Sequence, residues 1–200
     1  MGEGETENKL SWLDSDGFLG AMVVLLTIVT AFAAYQSALT SIEGDDLDFE
    51  AQKTLVLATA SFQSGNSELL EDMYIYDSYR QFADQDPEEA AVFLNRASQA
   101  LREGLDRPGG PFDETYEEAR FGDAFDLIKE VEKLEQQANL ADDKARIYEL
   151  AGFIFAIGLA AVAWASLVGS GRRIRLIFLL IAVANLMAGF VVIIQVVFES

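Results

Sequence analysis

Three uncharged runs dominate the pattern of polar and apolar positions. They extend from Gly17 to Ile42, from Leu150 to Gly171 and from Leu176 to Phe198, and each is bounded by charge. A bilayer crossing takes about 20 apolar residues. Three such runs in 200 residues point to membrane spans rather than to buried helices of a globular core. Between the first and second runs the pattern changes. Leu127, Val131, Leu134, Ala138, Ala141, Ala145 and Tyr148 recur at alternating steps of four and three, the seam of a helix packed along another helix. Phe62, Asn66, Leu69, Met73 and Tyr76 show the same spacing earlier in the chain.

Start and stop signals divide the segment between spans one and two. One helix is expected over about 46–82, with a bend at Gly44 or Gly65. A second is expected over about 87–105, with Asp86 as N-cap, Pro87 at the first position, and Glu88 and Glu89 in the first turn. The Asp106-Arg107-Pro108-Gly109-Gly110-Pro111-Phe112 stretch is the strongest breaker. A third helix starts near Asp113 or Glu114 and continues into span two. The expected fold class is all-α: three transmembrane helices with a long antiparallel helical extracytoplasmic stalk between spans one and two. The segments read as a cytoplasmic acidic tail (1–16), span one (17–40), an acidic extracytoplasmic helical domain (41–146), span two (147–169), a cytoplasmic arginine loop (170–175) and span three (176–198). The orientation follows from Arg172, Arg173 and Arg175 in that short loop, because positive loops stay inside. Trp12 and Trp164 then fall at the inner interface, where indoles are favoured. Ala31-Phe32-Ala33 imitates a signal-peptide cleavage site. The first 16 residues, however, carry five acids and only Lys9, the wrong charge for a signal peptide, so span one reads as a retained anchor. The Met1-Gly2 start fits a myristoylation pattern only formally.

Charge sharpens this picture. The chain carries 33 acids and 14 bases, a net charge of −19. Residues 41–146 hold 26 of the acids and 10 of the bases, a net of −16. A domain so acidic and poor in lysine repels its own copies at low salt and is eased by high salt, which suggests a halophilic origin. A nucleic-acid partner is not expected at pI 4.1.

Composition also excludes chemistry. With no cysteine and no histidine, thiolate sites, disulfides, Ser-His-Asp catalysis and His-liganded metals are all absent. Asp45, Asp46, Asp48 and Glu50 form an acidic cluster, but an EF-hand starting at Asp46 needs Gly where Ala51 stands and Glu where Leu57 stands. Asp14-Ser15-Asp16-Gly17 is too short to count. Both clusters read as solvated surface. No catalytic residue, cofactor or metal ligand is expected, and the protein reads as a non-enzyme. Within the spans, Gln36, Asn185 and Gln195 are the notable amides, and Asn185 at mid-depth is expected to hydrogen-bond to a neighbouring helix. Small residues at Thr27, Ala31, Ala34 and Ala38, and at Gly152, Ala156 and Ala160, are expected to mark the helix contacts.

Ala34-Tyr35-Gln36 closes span one. Ala138-Asn139 and Asp142-Asp143 precede Tyr148 and a Phe- and Ala-rich span two, and an arginine loop and a third span follow. This layout resembles a family of uncharacterised three-span prokaryotic membrane proteins, a domain of unknown function. Members carry Trp shortly before Tyr-Gln; here Phe32 is the nearest large residue. The resemblance implies the three-span topology and carries no activity or site residues.

These readings converge on a multi-pass protein of the cell membrane, a structural or accessory subunit assembling through its stalk and spans. Its expected partners are the lipid bilayer and either further copies of itself or another membrane protein. A sensor-like module signalling through a partner, and a small channel or transporter subunit, are the alternatives.

Overall fold

The computed structural model describes residues 15–168 and 173–198. Gly2, Trp12, the acidic tail through Asp14, and Arg172 lie outside the described residues. Among those described there are five helices and no strand: α1 Asp16–Phe82, α2 Pro87–Arg96, α3 Gln99–Gly104, α4 Glu114–Leu167 and α5 Arg173–Phe198. α1, α4 and α5 are each long and apolar enough to cross a membrane. The expected first span and first stalk helix are therefore one 67-residue helix. Gly44 and Gly65 do not break it; both are buried on its α4-facing side. The chain forms two compact units, one of Met1–Asp46 with Gln137–Ser200 and one of Leu47–Gln136.

In the first unit α1 and α4 run antiparallel. Ala33 meets Gly152, the Ser37 hydroxyl donates to the Ala145 carbonyl at 3.1 Å, and Gly44 meets Ala138 and Asp142. α5 packs against both helices. The Phe155 ring covers Gly189 and meets Phe190 edge-on, and Gly158 abuts Leu26, Ala182 and Asn185. Leu19, Met22, Val162, Ala165 and Leu179 complete the core. Ser15 caps α1 by accepting from the Phe18 N–H, and Asp16 pairs with the buried Arg175 at 2.8 Å.

Two expectations about the spans are corrected here. Thr27, Ala31, Ala34, Ala38, Ala156 and Ala160 are exposed, and only Gly152 of the two ladders is half-buried. The contact on α1 falls one residue earlier, at Leu26, Thr30, Ala33 and Ser37. The packing is large against small, as in Leu26 on Gly158 and Phe155 on Gly189, so a run of small residues marks a face without naming its partner. Asn185 Nδ2 donates at 2.8 Å to the Ile181 carbonyl of its own helix rather than across to a neighbour. Its tie to α4 is the packing of its Cβ against Gly158. Thr27, Thr30 and Thr40 likewise bond back to carbonyls four residues earlier, which keeps their hydroxyls satisfied without water.

In the second unit α1 and α4 are again antiparallel: Phe62 meets Phe121, Gly65 meets Arg120 and Tyr76 meets Phe112. On α4 the expected seam holds, with Val131 and Leu134 buried here and Ala138, Ala141 and Ala145 buried in the first unit. On α1 it does not. Phe62, Asn66 and Met73 are exposed, and the buried positions are Ala51, Ala58, Gly65, Asp72 and Ile75, with Thr54 and Ser61 half-buried. The spacing is that of a seam, but its residues are small. That brings the backbones close enough for a Cβ on Gly65 to fall 2.6 Å from the Arg120 carbonyl.

The expected helix over 87–105 is two helices. α2 starts as predicted, with Asp86 accepting from the Glu89 N–H at 3.1 Å behind Pro87. At Ala97 the backbone turns extended, and Ser98 caps α3 by accepting from the Leu101 N–H. Ala97, Leu101, Ile75 and Tyr116 form the core against which Leu69, Tyr76, Phe93 and Phe112 pack. The chain reverses at Arg107–Gly110, where Gly110 adopts a φ of 86°, open to glycine at little cost. Asp113 then caps α4 by accepting from the Tyr116 N–H at 3.1 Å.

Candidate functional site

Asp72 is the buried carboxylate of the second unit, 2% exposed. It stands on the α1 seam seven residues after Gly65, where α1, the start of α3 and the first turns of α4 meet. Four donors converge on it. Ser98 gives its backbone N–H at 3.0 Å and its hydroxyl, Tyr116 gives its phenol at 2.8 Å, and Arg120 gives Nη2 at 3.3 Å. Arg120 also pairs with Glu68, and its guanidinium lies over the Tyr116 ring. Ser98 thus does two jobs with one oxygen: it accepts from the α3 backbone and donates to Asp72. Each partner neutralises or satisfies another, which is what a buried charge requires.

The electrostatics follow from this packing. Burial first, then the hydrogen bond to Asp72, pushes the Tyr116 phenol up from 10.0 to about 12 against the opposing pull of Arg120. Burial works against the Arg120 charge, but the Tyr116 contact and the Glu68 and Asp72 carboxylates outweigh it and hold its pKa above the ordinary guanidinium value. A phenol whose folded pKa is raised contributes stability that is whole below its unfolded pKa and is lost as pH rises through the folded one. Between pH 10 and 12 the protein is therefore expected to lose about 2–3 kcal/mol more than a Tyr116→Phe variant. Urea unfolding at stepped pH measures the difference; equal losses in both proteins would contradict it. At neutral pH the phenol keeps its proton and donates it in a hydrogen bond to Asp72, so the network ties α1, α3 and α4 together.

Beside the network a cleft of about 560 Å³ opens between α1, α3 and α4. Glu68, Glu71, Asp72, Arg96, Ser98, Glu103, Arg107 and Arg120 line it, so it carries both signs of charge. Arg107 Nε lies 2.8 Å from Asp113 Oδ2, an ion pair whose N–H is not aligned for a hydrogen bond.

The residues singled out in the sequence lie elsewhere. Asp45, Asp46, Asp48 and Glu50 are exposed, and among the described residues no three metal-ligating side chains converge. Asp16 is engaged with Arg175. Gln36 is half-buried and Gln195 exposed. The Asp72 network was missed because acids are everywhere in this segment. The available signal was the seven-residue step Ala51, Ala58, Gly65, Asp72, which places one acid among buried small residues. No protein-family profile matches the chain, and neither a curated protein nor a solved structure matches it.

Proposed function

We propose that the protein is a non-enzymatic, multi-pass subunit of the cell membrane that assembles with copies of itself through the outward side of α1. The observation that carries this is one neutral, apolar surface in an otherwise acidic unit. Residues 54–67 of α1 contain no charged side chain, and within them Leu55, Val56 (68%), Leu57 and Phe62 are exposed. The strip itself carries no charge, so contact between copies there sets fewer like charges against each other, although Asp123, Asp126 and Glu130 lie beside Ser61 at its flank. A two-fold pairing of identical patches needs no second protein. In the first unit Thr30, Ala34, Ser37, Ala38, Ser41 and Gly152, with the acidic Glu149, border a shallow groove of about 430 Å³ whose small residues let membrane helices approach closely.

Arg172, Arg173 and Arg175, which separate the second and third apolar runs of the sequence, support an orientation with the acidic unit outside the cell. Since the chain has no cysteine, a lone Gln85→Cys at an exposed turn reports this cleanly, and labelling of intact cells is the expected result. For assembly, the purified full chain in nanodiscs at molar KCl is expected to run as a defined oligomer by native mass spectrometry. Leu55→Glu with Val56→Glu is expected to shift association at least tenfold towards monomer, because identical patches then repel. A wild-type monomer at every salt concentration, or an oligomer indifferent to the substitutions, would overturn the reading.

A further inference from the structure

We propose that the cleft beside Asp72 binds a small diamino-carboxylate, the chemistry of a basic amino acid. The inference is separate from self-assembly and stands on the charges that the cleft leaves uncommitted. Arg120 is shared between Asp72 and Glu68, a trio that keeps one negative charge in excess, and Arg107 is held by Asp113. Three charged groups remain on the lining. Arg96 and Glu71 have no ion-pair partner among the described residues, and Glu103 accepts only from the neutral Gln99, at 2.7 Å. One cation and two anions are thus presented to a cavity of about 560 Å³, within the usual range for small-molecule sites.

The complement is a molecule with one carboxylate and two ammonium groups. Its carboxylate meets the planar fork of Arg96, which suits a carboxylate better than a point charge does. Its two cations meet Glu71 and Glu103. A divalent metal does not fit, because the carboxylates do not converge: no group of three metal-ligating side chains occurs among the described residues. A simple polyamine satisfies the acids and leaves Arg96 idle. A neutral-side-chain amino acid leaves one acid idle. Arg96 at the end of α2 and Glu103 in α3 are exposed and lie outside the Asp72 network, so changing them leaves the core intact.

The test is isothermal titration of the full chain in nanodiscs at 0.5 M KCl, with L-lysine, norleucine and 1,5-diaminopentane as probes. L-lysine is expected to bind saturably and at least tenfold more tightly than either analogue. Arg96→Gln is expected to bring L-lysine down to the level of the diamine, and Glu103→Gln to bring it down to the level of norleucine. The comparison of the three probes on the unsubstituted protein stands even if a variant misfolds. Absence of saturable L-lysine binding, or equal binding of L-lysine and the diamine, would overturn the proposal, the latter marking mere attraction of cations to an acidic surface. Loss of lysine binding leaves the oligomer unaffected, so this inference and the assembly reading fail independently.

Discussion

Asp72→Ala is expected to destabilise the second unit by about 3–5 kcal/mol, the range for removing one partner of a buried ion pair. The carboxylate is the common acceptor for the Ser98 N–H and hydroxyl, the Tyr116 phenol and Arg120. Its removal strands the donors and leaves Arg120 with only the half-exposed Glu68. Asp72→Asn keeps the volume but turns an oxygen into a donor facing donors, and is expected to cost about 1–3 kcal/mol. The damage has a place as well as a size. Amide exchange should accelerate first in α3 and the first turns of α4, which the carboxylate ties to α1. Unchanged protection there in Asp72→Ala would show that the helices hold without it.

Gly65→Ala is expected to be destabilising although it improves intrinsic helix propensity. The new methyl group arrives 2.6 Å from the Arg120 carbonyl and 2.9 Å from the Phe121 ring, and one of these atoms is backbone. Overpacking of this kind costs about 1–3 kcal/mol, more than the roughly 1 kcal/mol by which alanine exceeds glycine in a helix. Gly122→Ala is the control. It lies in α4 of the same unit, and its nearest neighbour is the flexible Glu118 side chain at 3.8 Å. That variant is expected to gain about 0.5–1 kcal/mol. Paired thermal melts followed by circular dichroism decide it, and a rise in both variants would mean that α1 and α4 are less tightly apposed than Gly65 indicates.

Much of this architecture is legible from spacing and charge. The three uncharged runs, the Asp86-Pro87 helix start, the start of α4 after Asp113 and the α4 seam are all local patterns, and local physics decides them. What failed depended on a partner. On α1, large residues such as Phe62 and Met73 draw the eye as a seam, but close antiparallel helices select Ala51, Ala58 and Gly65 for contact and leave the large residues on the flank. The ladders at Thr27–Ala38 and Gly152–Ala160 misled for the same reason in the first unit. The break at Ala97 is invisible along the chain because Ser98 leaves the helix for an acceptor 26 residues away. The cleft is equally illegible, since its charges come from four helices and the turn before α4, and its character depends on which pairs are already spent.

The α1 and α4 seams also restrict how such a chain can change in length. A seam whose buried positions alternate at steps of three and four repeats every seven residues. Adding one residue to α1 turns everything beyond it by about 100° and rotates the small residues out of register with α4. Adding seven to α1 alone restores the face but leaves one arm of the hairpin longer than the other. Only matched additions of seven to both helices keep Ala51 beside Val131 and Leu134 and Asp72 bonded to Tyr116. Hairpins built on this plan should therefore vary in size by paired heptads, a quantised ruler rather than a continuous one.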